Sequence, residues 1–106
     1  MSLADEKSRP IAAGEQPLSP EEAATLANDV PGWFLAEGRI EQGFRFPDFE
    51  QAMAFANKVA DIAQQEDHHP DILISYNKVR LTLSTHKIGG LSRNDFIVAA
   101  KIDRLV

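Results

Sequence analysis

The sequence predicts an α+β fold: a single domain in which a four-stranded antiparallel sheet carries helices packed on one face, in the order α-β-β-α-β-β-α. Three observations predict it. Segments with period-two alternation come in adjacent pairs joined by short links, as hairpins require. Apolar runs at helical spacing follow each pair. Helix starts carry capping signals at Ser19-Pro20-Glu21-Glu22, at Asp48 and at Ser92-Arg93-Asn94-Asp95. Short hairpin links make the sheet antiparallel and leave an apolar face for helices to cover.

Residues 1–18 mix Pro, Gly, Ala and charges without a period and read as a flexible N-terminal tail before a domain spanning 19–106. Ser19 is the first N-cap, Pro20 occupies the first helical position, and Glu21 and Glu22 face the positive helix end. Ala23, Ala24, Leu26 and Ala27 carry this helix to about Asn28, and Pro31-Gly32 breaks the chain. Trp33 to Gly38 and Arg39 to Phe46 read as strands. In the second, Ile40, Gln42, Phe44 and Phe46 alternate with Arg39, Glu41, Gly43 and Arg45. Pro47 stops it. Asp48 caps a long helix whose apolar positions, among them Phe49, Ala52, Phe55, Val59 and Ile62, run to Gln65 or Glu66. Proline disfavours helical geometry in the residue before it, so Pro70 sets His69 extended. Ile72 to Tyr76 and Val79 to Thr85 form the second strand pair, joined near Asn77-Lys78. Val79, Leu81, Leu83 and Thr85 share one face; Lys78, Arg80, Thr82, Ser84 and His86 share the other. Gly89-Gly90 is a loop. Ser92 and Asp95 have capping-box form, and the last helix carries Phe96, Ile97, Ala99, Ala100 and Ile102.

Composition excludes several function classes. With 106 residues, 43% of them hydrophobic, the chain builds one modest core, which oligomerisation would help. It has no cysteine, which rules out disulfides, zinc-thiolate sites, iron–sulfur clusters and cysteine nucleophiles. A net charge of −5 without a dense Lys/Arg stripe argues against direct nucleic-acid contact. No apolar run approaches the roughly 20 residues that span a bilayer, and no apolar stretch marks a signal peptide. The expected location is cytoplasmic, with no membrane partner.

The chemistry-bearing residues are few. The chain has three histidines. His68 and His69 sit in Glu66-Asp67-His68-His69-Pro70-Asp71, between helix and strand, and His86 follows the last strand. Imidazole titrates nearest neutral pH, so this placement points to proton transfer or metal binding. Neighbouring residues diverge on a regular helix or strand, whereas an irregular junction allows them to converge. The bland alternative makes His68 a cation favoured by a helix C-terminus and His69 a surface residue. A site of histidines with Asp67, Asp71 or Asp95 is the metal reading, but no HExxH and no histidine pair at i, i+4 is present; no metal is expected. Asp95 also has a purely structural reading as a capping acid. Trp33 and Tyr76 could stack on a planar ligand or be ordinary core or hairpin residues, and Tyr76 reads as the latter.

Taken together, Gly32-Trp33, Phe44-Arg45-Phe46-Pro47-Asp48-Phe49, His68-His69-Pro70-Asp71, Tyr76-Asn77-Lys78-Val79, Leu81 to His86, and Gly90-Leu91-Ser92 with Asp95 resemble the pterin-4a-carbinolamine dehydratase family, from about Ser19 to the C-terminus. The resemblance implies an enzyme that dehydrates 4a-hydroxytetrahydropterin to quinonoid dihydropterin, in tetrahydrobiopterin recycling after aromatic amino-acid hydroxylation. It implies catalytic residues at His68, His69 and His86 and substrate-binding residues at Asp67, Pro70, Asp71, Ser84, Thr85 and Asp95. It implies no cofactor, a homodimer or homotetramer, and an aromatic amino-acid hydroxylase as a pathway partner. The family often has an acid four residues before the first histidine, where this chain has Gln64, and animal members carry Trp at the place of Ile72. Two other readings stay open: a non-catalytic dimerisation or interaction module using apolar helix faces, and a histidine metalloprotein.

Overall fold

The computed structural model describes residues 2–106. Helix α1 (Pro20–Ala27) opens on a closed capping box, in which Ser19 Oγ accepts from the Glu22 amide and the Glu22 carboxylate accepts from the Ser19 amide. The chain continues through β1 (Phe34–Ala36), β2 (Arg39–Arg45), α2 (Phe49–Glu66), β3 (Asp71–Ser75), β4 (Lys78–Leu83) and α3 (Arg93–Asp103). The sheet has the order β1-β2-β4-β3, every pair antiparallel. The α+β class and the α-β-β-α-β-β-α order expected from the sequence are the ones observed.

Register follows from the alternation. Ile40 lies opposite Leu83, Gln42 opposite Leu81 and Phe44 opposite Val79, which puts these residues on one face. Ile40, Val79, Leu81 and Leu83 are fully buried there, beneath Ala52, Phe55 and Val59 of α2 and Phe96, Val98 and Ile102 of α3. Each such large apolar side chain contributes roughly 1.5–3 kcal/mol on burial. Phe44 and Phe46 both pack on Phe55, with ring centroids 4.7 and 5.0 Å away. The polar Gln42 interrupts the apolar face because its amide Nε2 donates to Asp103 Oδ1 at the end of α3, 3.4 Å away.

Strand ends shift by one or two residues from the sequence reading, and two of the shifts move a candidate residue. Trp33 stays outside β1 because its amide closes a turn onto the Val30 carbonyl, and its ring is buried in the core. β4 ends at Leu83; Thr85 makes a lone bridge to Gly90, and His86–Ile88 wind into a 3-10 turn. His86 therefore does not continue the polar face of the strand. The segment read as a flexible tail lies along the domain. A 3-10 turn at Leu3–Asp5 buries Leu3 and Ala4 against α3, and Arg93 holds Glu6 through two bonds of 2.7 and 2.6 Å. One leucine per turn leaves no periodic signal, so composition alone hides this anchor.

Candidate active site

Helix α2 ends in a way that turns both histidines out of it. Asp67 adopts the left-handed conformation (φ 50°, ψ 42°), and the His68 amide donates back to the Ala63 carbonyl at 3.1 Å. This is the closure usually made with glycine after a helix. It lets two neighbours that a regular backbone would point apart line one cleft, and Pro70 prevents the helix from resuming.

His68 swings against the start of α3. Its Nε2 lies 2.5 Å from Asp95 Oδ1. A carboxylate oxygen only accepts, so Nε2–H is the donor, and in the neutral ring Nδ1 keeps its lone pair. Asp95 is fully buried. Its other oxygen accepts from the Ser92 amide at 2.9 Å and from Thr85 Oγ1 at 2.8 Å, while the Ser92 and Thr85 hydroxyls lie 2.8 Å apart. The capping and chemical readings of Asp95 are thus not rivals: Oδ2 caps the helix and Oδ1 fixes the imidazole.

His69 takes a different partner, its Nε2 lying 2.7 Å from Gln64 Oε1 one turn back on α2. His86 is exposed at the first position of its 3-10 turn, which Gly89 closes at φ 71° with its amide on the His86 carbonyl. No side-chain hydrogen bond holds the His86 ring among the described residues.

All three histidines line one cleft of about 520 Å³, within the roughly 300–1,000 Å³ of small-molecule sites. Asp67, Ser84 and Thr85 line it too. The protons of the two hydroxyls have partners: Ser84 Oγ donates to the Gly38 carbonyl at 2.7 Å and Thr85 Oγ1 donates to Asp95 at 2.8 Å. Both residues stand in the cleft wall, on the side where the sequence reading expected substrate contacts. Pro70 and Asp71 are not among the lining residues; Asp71 begins β3 opposite Thr82. Asp95 stands behind His68 and is not a lining residue either. Trp33 is a core residue whose indole donates to Asp103, and Tyr76 is an exposed hairpin residue at φ 52°.

Sequence reasoning missed Lys7 to Ile11, Glu66, Lys87 and Asn94, all on the cleft wall. Asn94 was visible only as the interior of a capping motif. Burial pushes the Glu66 carboxyl up, but the Ser8 amide, Lys101 and Lys7 together pull it below its usual value. Among the described residues no three His, Cys, Asp or Glu side chains converge as a metal-binding cluster.

The family model described as pterin 4 alpha carbinolamine dehydratase matches residues 16–105. A relative named "Putative pterin-4-alpha-carbinolamine dehydratase" from Nitrosomonas eutropha is 50% identical over 105 residues, covering 98% of this chain and 93% of its own. A relative of the same name from Rubrobacter xylanophilus is 41% identical, covering 97% of each chain. The crystal structure of a transcriptional coactivator/pterin dehydratase from Brucella melitensis matches with a TM-score of 0.80 at 30% identity, over 85% of this chain and 98% of that one.

Proposed function

Because the chain belongs to the pterin 4 alpha carbinolamine dehydratase family, we propose that it removes water from a 4a-hydroxytetrahydropterin by histidine general acid/base catalysis. The observation that carries the mechanism is the meeting of three imidazoles on one cleft, one of them backed by a buried carboxylate. The C4a–O bond breaks as a proton reaches the leaving oxygen, and the N5 proton departs to a base. Water and quinonoid dihydropterin result. No electrons change hands, so the elimination calls for no cofactor and no metal.

His68 and His86 are assigned the two proton transfers. Asp95 holds the His68 ring through Nε2, which leaves Nδ1 as the atom that exchanges a proton, and it stabilises the imidazolium when one forms. His69, tethered to Gln64, is assigned to binding and orienting the pterin. We place the reaction in pterin recycling beside an aromatic amino-acid hydroxylase, in a homodimer or homotetramer, in the cytoplasm. No helix among the described residues is long and apolar enough to cross a membrane.

The test is the dehydration rate of 4a-hydroxytetrahydropterin. His68→Ala and His86→Ala each lose a general acid or base, an effect of about 10²–10⁴-fold. Asp95→Asn keeps the ring's neighbour but loses its charge, and falls in the same direction by less. Wild-type rates in both histidine variants would sink the assignment. Absence of both turnover and pterin binding in the purified chain would favour the interaction-module reading instead.

A further inference from the structure

We propose that residues 7–11 form a strap that closes the histidine cleft over bound pterin, and that Asn94 is the residue that positions it. The proposal rests on the dehydratase reading above. The strap lies outside residues 16–105, which the family model matches, yet five consecutive residues, Lys7 to Ile11, line the same cleft as His68, His69 and His86.

The strap has no regular secondary structure of its own; side chains from the rest of the domain hold its backbone. Asn94 is only 3% exposed and grips Arg9 at two points. Its Oδ1 accepts from the Arg9 amide at 3.1 Å and its Nδ2 donates to the Arg9 carbonyl at 2.7 Å. Glu66 Oε1 accepts from the Ser8 amide at 2.8 Å, and Lys87 Nζ donates to the Ile11 carbonyl at 2.8 Å.

Each anchor sits next to a residue of the site. Glu66 ends the helix from which His68 and His69 emerge, Lys87 follows His86, and Asn94 precedes Asp95. A buried amide spent on a two-point grip of a neighbouring backbone specifies where that backbone lies, because an unpaired amide there is costly. The strap therefore sits at a position registered to all three imidazoles.

Ser8 supplies an independent observation. Its Oγ is buried without a hydrogen-bond partner, on a residue that lines the cleft. It lies near enough to Glu66 to pull slightly on that carboxyl, but outside hydrogen-bond geometry. An orphan hydroxyl in a cleft wall marks a place where a polar ligand group or a shift of the strap completes the bonding. Strap residues around it, Pro10 and Ile11, offer an apolar edge to a flat bicyclic ring. The strap's work is to hold the ring and exclude water, not to transfer protons.

The experiment uses the full chain, with steady-state dehydration and limited trypsin digestion. The Lys7–Ser8 bond reports strap opening, since the neighbouring Arg9 bond precedes proline and resists trypsin. Asn94→Ala raises KM for the carbinolamine on the order of tenfold with kcat changed by less than about twofold, the pattern of lost binding that is equal in ground and transition states. In the wild type, 7,8-dihydropterin slows cleavage at Lys7; in Asn94→Ala cleavage is faster and this protection is lost. Lys87→Met, an exposed position, gives a smaller KM rise in the same direction and serves where Asn94→Ala fails to fold. Wild-type turnover with Lys7 cleavage indifferent to dihydropterin, or with wild-type KM in both variants, overturns the strap alone. A wild-type chain with neither turnover nor protection overturns the dehydratase reading and the strap with it.

Discussion

At the scale of single residues, the site depends on what stands behind each imidazole. His68 has a buried carboxylate at 2.5 Å and His69 has the Gln64 amide at 2.7 Å. An amide oxygen orients a ring as well as a carboxylate does, but it adds no charge to favour the imidazolium. Gln64→Ala therefore removes a tether and not a charge: it raises KM for the carbinolamine with a smaller effect on kcat, because His69 is assigned to binding. Steady-state kinetics check this, and an unmoved KM means that the Gln64 tether does not position His69 for binding. The three histidines were legible in the sequence because the chain has no others, and their convergence was legible only through the family resemblance. Asp95 was legible as an acid but not as a shared one: a capping motif says nothing about where its second oxygen points. The partners of Ser84 and Thr85 were hidden for a related reason, since a hydroxyl's type does not reveal that its proton goes to Gly38 or Asp95.

At the scale of elements, helix ends rather than helix bodies position the chemistry. The α2 C-terminus presents two histidines, and the α3 N-terminus presents Asp95 and Asn94. Caps are written in local sequence, which is why α1 and α3 begin where Ser19 and Ser92 predict. Strand ends are set by pairing partners distant in sequence, which is why β4 stopped short of Thr85. The opposite end of α3 makes a pH prediction. Burial pushes the Asp103 carboxyl above its usual 3.8, against the pull of hydrogen bonds from Trp33 and Gln42. The folded state then holds its proton more tightly than the unfolded state, so this group's contribution to stability falls as pH rises from 3.8 through the raised value. Glu66 has the opposite sign. Burial raises it, yet the Ser8 amide, Lys101 and Lys7 bring it below 4.5, so its contribution is present above 4.5 and lost as pH falls through the depressed value. Thermal midpoints against pH separate the two. Asp103→Asn gains on the wild type as pH rises above about 4 and then levels off. Glu66→Gln shows its full deficit at neutral pH and a shrinking one in acid.

At the scale of the whole molecule, every helix lies on one side of the sheet, which leaves the outer face bare and β3 at an edge. The edge is apolar: Ile72, Leu73 and Tyr76 are 38%, 62% and 68% exposed. An open edge offers unpaired backbone donors and acceptors to another strand, and natural proteins usually blunt such edges with charge or proline. Here β3 carries only Asp71, at its very start. A second copy pairing along β3 would satisfy the edge and cover the exposed side chains, which makes β3 the expected seam of a homo-oligomer, with the helix faces as the alternative. Light scattering on the wild type then gives a dimer or larger, and Ile72→Lys with Leu73→Lys gives a monomer with unchanged circular dichroism. An unchanged mass in the double variant moves the seam to the helices, and a monomeric wild type removes it. The seam also bears on the site, because β3 begins only two residues after His69. Pairing along β3 braces the segment that carries the histidines, so the monomeric variant loses turnover as well as mass even though neither lysine lines the cleft.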